Sequence, residues 1–140
     1  MIELKNQVAF QIRAEAEKTY PYECCGFVFG LAQEDKREIS AVLPSRNSRE
    51  QTRRSRRYSI EPEDFLAAEV EASRLGLELL GIFHSHPDHP AEPSEYDLKT
   101  ALPFYSYLIV SVENAAAKNL TSWLLTSDRR SFLQEKVIEE

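Results

Sequence analysis

The stretch that decides the fold is LELLGIFHSHPDHPAEPSEYD, residues 77–97. Its apolar start, residues 77–83, predicts a buried central strand. His84 and His86 stand at the end of this strand, and Pro87 ends it and begins a loop that holds three prolines. Side chains two residues apart on a strand point to the same face, so both imidazoles can reach one metal ion.

A serine and an aspartate follow at a spacing that favours two different roles. Ser94 and Asp97 are three residues apart, which places them on one side of a helical turn. The same S-x-x-D pattern is typical of a helix start, in which Ser94 caps the helix and Asp97 reaches back. Capping and metal binding are compatible. His89 falls outside the H-x-H pair and is predicted to be a loop residue.

Two imidazoles and one carboxylate, those of His84, His86 and Asp97, would give a tetrahedral zinc three ligands. The fourth position then stays open for water, which is typical of a catalytic zinc site and not of a structural one. The pKa of such a water falls to about 7. The site would still need a proton acceptor and a group that stabilises an oxyanion. An H-x-H pair alone also occurs by chance on exposed loops.

The flanking sequence predicts an α/β fold with a mixed β-sheet flanked by helices. The order of elements, with strands in runs as well as between helices, argues against a doubly wound parallel sheet. With 140 residues, the chain is expected to form a single domain, residues 1–140. Periodicity predicts a first helix that carries Leu4, Val8 and Ile12 and ends before Pro21, and a second helix from Pro62 to Gly76. Apolar runs bounded by turn residues predict further strands over residues 26–30, 38–44, 104–112, 120–126 and 131–138.

Charge and hydropathy exclude several classes of function. The chain carries 17 basic and 23 acidic side chains, a net charge of -6, and general nucleic-acid binding needs a basic surface. It contains no long uncharged apolar run, so no membrane span is expected. Its start does not read as a secretory signal, and we expect a cytoplasmic protein.

One basic segment departs from this acidic average. Residues 46–57 contain six arginines and one glutamate, a local charge of +5. Such runs are usually solvated loops. The alternative is a docking patch for an acidic partner in the segment Arg46–Arg57, which would accelerate encounter at low salt.

The two cysteines, Cys24 and Cys25, are adjacent. They do not form the C-x-x-C pattern of zinc ribbons, and two cysteines do not make a disulfide scaffold. At least one is predicted to be a small buried apolar residue on a strand. A catalytic thiol paired with His84 or His86 is the alternative.

The H-x-H-P stretch, followed by S-x-x-D after seven residues counted from His86, resembles the JAMM motif of the MPN-domain metallopeptidases. Those enzymes also carry a glutamate far upstream, before the first strand of the sheet. Here Glu23, within PYECCG at residues 21–26, looks like that glutamate.

The resemblance implies that His84, His86 and Asp97 ligate zinc. It implies that Glu23 is the general base, which takes a proton from the bound water and delivers it to the leaving amine, and that Ser94 stabilises the oxyanion. The implied fold is an α/β/α sandwich similar to that of cytidine deaminases. The H-x-E and C-x-x-C zinc motifs of deaminases are absent from the sequence, which points to amide hydrolysis.

Small members of this family are similar to peptidases that process ubiquitin-like sulfur-carrier proteins. The resemblance therefore implies a zinc-dependent peptidase that cleaves an amide bond after the C-terminal Gly-Gly of such a carrier. A diglycine tail can lie extended in a narrow cleft with little steric demand. Three alternatives are a JAMM peptidase of another substrate class (cell-wall or phage-tail processing), a non-catalytic MPN module that binds partners, and a cysteine-based hydrolase.

Overall fold

The structure, a computed structural model, describes residues 1–47 and 58–140. In chain order the elements of these residues are β1 (Ile2–Leu4), α1 (Asn6–Thr19), β2 (Cys25–Ala32), β3 (Arg37–Ser45), α2 (Pro62–Leu75), β4 (Glu78–Pro87), α3 (Glu95–Thr100), β5 (Ser106–Glu113), β6 (Ala116–Leu125), β7 (Phe132–Glu135) and β8 (Val137–Glu139).

The strands form one sheet in the order β7-β6-β5-β4-β2-β3-β1-β8. β4 pairs in parallel with β5, and β1 pairs in parallel with both β3 and β8. The other neighbouring strands are antiparallel. The predicted mixed sheet is confirmed, and β4 occupies its centre.

Helices cover both faces of the sheet. Ile12 of α1 belongs to one buried cluster with Val28 and Leu80, and Ala68 of α2 belongs to a second cluster with Phe27. Phe27 and Val28 are neighbours on β2, so their side chains point to opposite faces. The layers are therefore α/β/α, as expected. Among the described residues, no helix has the length and apolar character needed to cross a bilayer.

Two sequence predictions need correction. Leu4 belongs to the short strand β1 and not to the first helix, which begins at Asn6 after Lys5 in an extended conformation. Leu4 is fully buried with Val8, so their spacing reflects a shared core and not a shared helix. The strand predicted over residues 131–138 is two strands, β7 and β8.

These two strands lie at opposite edges of the sheet, although only Lys136 separates them in sequence. β7 pairs with β6, and β8 pairs with β1. The sheet is therefore curled enough for its two edges to approach each other near Lys136. Alternating side chains cannot show such a break, because the pattern continues through it. The other predicted strands and helices are present, with ends that differ by a few residues.

Close packing of strands fixes the centre of the sheet. A Cβ on Gly26 of β2 would clash with the Phe83 ring of β4, and a Cβ on Gly30 would overlap the Glu38 carbonyl of β3. Only glycine permits such approach between neighbouring strands.

At the end of α2, Gly76 adopts the left-handed conformation that the sequence predicts for a helix stop.

Candidate metal and catalytic site

The two histidines of the H-x-H pair lie at the C-terminal end of β4. Their Nε2 atoms are 3.2 Å apart, and both rings are buried. In the sheet, His84 is paired with Cys25 of β2 on one side and with Ile109 of β5 on the other. Because both neighbouring strands hold its backbone, the position of His84 is fixed by the sheet.

The carboxylate of Asp97 completes a cluster with these rings. Its Oδ2 atom lies 3.3 Å from Nε2 of both His84 and His86. Asp97 stands in the first turn of α3, where Ser94 caps the helix: Asp97 N–H donates to Ser94 Oγ at 3.0 Å, and Ser94 N–H donates to Asp97 Oδ2 at 2.8 Å. The predicted capping box is confirmed. The same carboxylate oxygen faces the two imidazoles, so capping and metal binding coexist.

Glu23 reaches the cluster from the segment between α1 and β2. It is 5% exposed, and a carboxylate oxygen of Glu23 lies within 4.8 Å of ligand nitrogens of His84 and His86. Either carboxylate could complete a metal site by distance. Asp97, at 3.3 Å from both nitrogens, is the closer one. The structure thus brings all five residues singled out by the sequence to one place, three of them as close donors.

Ser85, the residue between the two histidines, has a role that was not predicted from the sequence. Cys24 N–H donates to Ser85 Oγ at 2.8 Å, and Ser85 N–H donates to the Cys24 carbonyl at 3.2 Å. These two hydrogen bonds hold Cys24, the residue after Glu23, against β4. The one indication in the sequence is a serine at the end of a strand that is predicted to be buried.

Burial and mutual contact set the charges of the cluster. Burial raises the pKa of Glu23 to about 8, although the nearby His86 opposes this rise. Burial also lowers the pKa of His84. For His86 burial acts in the same direction, but the hydrogen bonds to Asp97 and to the Pro90 carbonyl outweigh it and raise the pKa. Burial opposes ionisation of Asp97 too, yet His84 and His86 hold its pKa below its usual range.

The donor set fits a divalent cation. Two imidazole nitrogens and one carboxylate oxygen converge within 3.3 Å of one another in a buried place. His86 Nδ1 lies 2.8 Å from the Pro90 carbonyl oxygen, an arrangement that turns Nε2 of that ring toward the cluster. Nitrogen and oxygen donors in this number are typical of metal sites that keep a position open. His84, His86 and Asp97 are therefore the residues that would hold the ion, with Glu23 beside them.

The cysteine chemistry considered as an alternative does not fit the structure. Cys24 and Cys25 are both free and buried, which confirms the prediction of a buried apolar role. Burial raises the pKa of the Cys24 thiol to about 12 and also raises that of Cys25. A reactive cysteine needs a lowered pKa, so neither thiol is suited to act as a nucleophile.

Two clefts are lined in part by Glu23. One, of about 500 Å³, is also lined by His86, Ser94 and residues of the loop 89–93. His89 is part of this loop, as predicted. The other, of about 840 Å³, lies between the end of α1, the end of β3 and the start of α2.

Most of the arginine-rich segment lies outside the described residues, which exclude residues 48–57. Arg46 is described, and its guanidinium pairs with Glu63 at 2.5 Å and with Asp64 at 3.4 Å on α2. Arg46 is therefore partly neutralised by its own chain. The predicted docking patch for an acidic partner stays a prediction.

Several curated proteins are similar in sequence to this chain. It is 31% identical over 118 residues to a desampylase of Pyrococcus furiosus, a match that covers 84% of this chain and 76% of the relative. It is 33% identical over 107 residues to a probable TtuB-protein conjugate cleaving protease of Thermus thermophilus, covering 76% and 68%. A tail tip assembly protein K of Escherichia phage N15 is 40% identical over 87 residues, which are 61% of this chain but only 30% of that protein.

A solved structure and a family model agree with these relatives. A protein of Desulfitobacterium hafniense superimposes with a TM-score of 0.87 and 32% sequence identity, covering 100% of this chain and 93% of that one. Residues 5–126 match the family described as prokaryotic homologs of the JAB domain. The resemblance to JAMM/MPN-domain proteins is thereby confirmed, and the chain belongs to the prokaryotic JAB family.

Proposed function

We propose that this protein is a zinc-dependent peptidase of the JAMM type that hydrolyses the amide bond after the C-terminal Gly-Gly of a ubiquitin-like sulfur-carrier protein. The observation that carries the proposal is the convergence of His84, His86 and Asp97 beside the buried carboxylate of Glu23. Family membership and the names of two relatives, a desampylase and a conjugate cleaving protease, support the substrate class.

The proposed ligands of zinc are His84, His86 and Asp97. When bound there, zinc supplies Lewis acidity, which lowers the pKa of water to about 7 and polarises an amide carbonyl. The chain's own residues do the rest. The sheet holds the backbone of both histidines, and the capping box of α3 orients the carboxylate of Asp97, so the three donor groups already converge.

Glu23 is the proposed general base. Its carboxylate is buried beside the two imidazoles, and it lines both clefts. Burial raises its pKa to about 8, and a divalent cation held beside it would favour the ionised carboxylate, which is the form that accepts a proton. In the proposed reaction Glu23 accepts the proton of the attacking water and delivers it to the leaving amine.

Ser94 is the proposed donor to the oxyanion. Its Oγ accepts a hydrogen bond from Asp97 N–H, which leaves the hydroxyl proton available to donate elsewhere. The side chain lines the cleft of about 500 Å³ next to Glu23 and His86. A hydroxyl placed where negative charge develops lowers the barrier for acyl transfer.

A diglycine tail suits the two clefts. Both are lined by Glu23, and the cleft of about 500 Å³ is also lined by His86 and Ser94, so it is the proposed place for the tail. Glycines lack side chains and adopt extended conformations freely, so they can approach a crowded site closely. The arginine-rich segment Arg46–Arg57 is the proposed contact for an acidic face of the carrier. Arg46 is already paired with α2; the contact therefore depends on the other arginines.

Phage-tail processing is the second candidate, because the phage relative shares 40% identity over 87 residues. The match covers only 30% of the phage protein. Most of that protein lies outside the match, so its assembly role is weak support for the same role in this chain. A non-catalytic MPN module is a weaker candidate because all five residues of the motif are present and converge.

We expect the wild-type protein to remove a defined C-terminal extension from a sulfur-carrier protein that ends in Gly-Gly plus added residues. Mass spectrometry of the carrier measures the loss. Glu23→Gln should slow cleavage by about 10² to 10⁴-fold, because the proton acceptor is lost. Glu95→Gln, which removes an exposed carboxylate on α3, is the matched control and should cleave normally. Chelator should abolish the activity, and a thiol alkylator should spare it. Equal cleavage by wild type and Glu23→Gln would refute the proposal.

Three substitutions of Ser94 separate its two roles. Ser94→Thr keeps the cap and the hydroxyl and should remain active. Ser94→Gly loses the hydroxyl but destabilises the helix by only a few tenths of a kcal/mol, whereas Ser94→Ala costs about 1 kcal/mol. Both should lower kcat by about 10² to 10³-fold, whatever their melting temperatures. If kcat instead follows stability across the series, Ser94 is only a cap.

Glu23 should also control how the stability of chelator-treated protein depends on pH. Burial raises the pKa of Glu23 from 4.5 to about 8, so the folded state retains a proton that the unfolded state releases between these values. The stability from this difference is fully present below pH 4.5 and is lost as the pH rises through about 8. Melting temperatures should therefore fall more steeply with rising pH for wild type than for Glu23→Gln. Parallel profiles would contradict a raised pKa.

A further inference from the structure

The two imidazoles of the site are oriented by different contacts. His86 has the usual partner of a metal-binding histidine, because its Nδ1 lies 2.8 Å from the Pro90 carbonyl oxygen. His84 Nδ1 is buried and has no hydrogen-bond partner among the residues that the structure describes. On the Nδ1 side of the His84 ring, therefore, no hydrogen bond from within those residues helps to set its plane; its polar contacts are those of Nε2 with His86 and Asp97.

An aromatic ring provides that contact. Tyr58 stacks on His84 with ring centroids 4.5 Å apart and an interplanar angle of 24°. Tyr58 is only 9% exposed, and burial raises the pKa of its phenol, so the stacked ring is neutral. Stacking stabilises an aromatic pair beyond the effect of its buried area. It therefore favours a single orientation of the His84 ring, and the Tyr58 ring covers one face of it.

Asn47 connects the backbone beside Tyr58 to the backbone of Glu23. Its Nδ2 donates to the Glu23 carbonyl at 3.1 Å, and its Oδ1 accepts from Ser59 N–H at 3.0 Å. Ser59 follows Tyr58 directly. A continuous series of contacts therefore runs from Glu23 through Asn47 and the 58–59 backbone to the ring that covers His84.

We propose that Tyr58 and Asn47 are positioning residues of the site: Tyr58 orients the His84 ring by stacking, and Asn47 holds the Glu23 backbone at a fixed place relative to that ring. This inference rests on the proposed function, since it assigns supports to a metal ligand and to the general base. The two residues flank residues 48–57: Asn47, before them, bonds Glu23, and Tyr58, after them, stacks on His84.

The Tyr58 half is tested by zinc affinity, measured by competition with a chelating dye. Tyr58→Phe keeps the stacked ring and should bind zinc as wild type does. Tyr58→Leu keeps an apolar side chain without the ring and should bind zinc about 2- to 10-fold more weakly, the effect that loss of a stacked aromatic pair produces. Equal affinity for Tyr58→Leu and wild type would overturn the inference. His84→Ala is the reference: if it too retains full affinity, the proposed metal site itself fails.

A measurement on the wild-type protein covers the case in which Tyr58→Leu does not fold. The ring current of Tyr58 should shift the carbon-bound ring protons of His84 upfield in NMR spectra of histidine-labelled, chelator-treated protein. Tyr58→Phe should retain that shift. His84 ring protons at ordinary positions in the wild type would overturn the stacking role.

The Asn47 half is tested by separating kcat from zinc affinity and from KM. Asn47→Asp keeps an acceptor for Ser59 N–H but loses the donor to Glu23, and Asn47→Ala loses both. Both should lower kcat, by up to about 100-fold if Glu23 moves by 1 Å, with zinc affinity and KM unchanged. An unchanged kcat in folded Asn47→Asp and Asn47→Ala, or a loss confined to melting temperature, would overturn the assignment.

Discussion

The pairing of β2 with β4 is the interaction on which the site depends. Its register sets Cys25 opposite His84, and Ser85 bonds both backbone groups of Cys24. Glu23, one residue before Cys24, is thereby delivered to the imidazoles although 61 residues separate Cys24 from Ser85. A slip of one residue would turn the side chains of the strand to the other face, so the buried faces of the sheet specify the site as strictly as they specify the fold.

The buried polar side chains of the cluster depend on one another for stability. Two imidazoles and two carboxylates are buried together, and buried charges require partners or a metal. The pKa values of the two carboxylates are shifted in opposite directions. The histidines hold the pKa of Asp97 below its usual range, and burial raises the pKa of Glu23. Pairs of like groups with opposite pKa shifts are typical of sites where one acts as a ligand or stabiliser and the other carries protons. The proposed roles of Asp97 and Glu23 follow this division.

Local patterns predicted most of the elements and the grouping of His84, His86 and Asp97, whereas Glu23 was identified only through the family resemblance and contacts between distant segments were not predictable. The capping box at Ser94, the common face of His84 and His86 and the helix stop at Gly76 depend on residues a few positions apart. The supports of the site pair residues far apart in sequence, and none of them belongs to a periodic pattern: Ser85 bonds Cys24, Asn47 bonds Glu23, and Tyr58 stacks on His84. For the same reason no local pattern indicates that the chain crosses from one sheet edge to the other at Lys136.

In the proposed site, distant segments gather their donors around one cation. Anomalous diffraction at the zinc edge, from crystals of protein loaded with one equivalent of zinc, locates that cation. We expect a single strong peak within about 2.2 Å of His84 Nε2, His86 Nε2 and an Asp97 carboxylate oxygen, with Glu23 nearby but not a ligand. No peak at this place, or a peak ligated by Glu23 with Asp97 turned away, would contradict it.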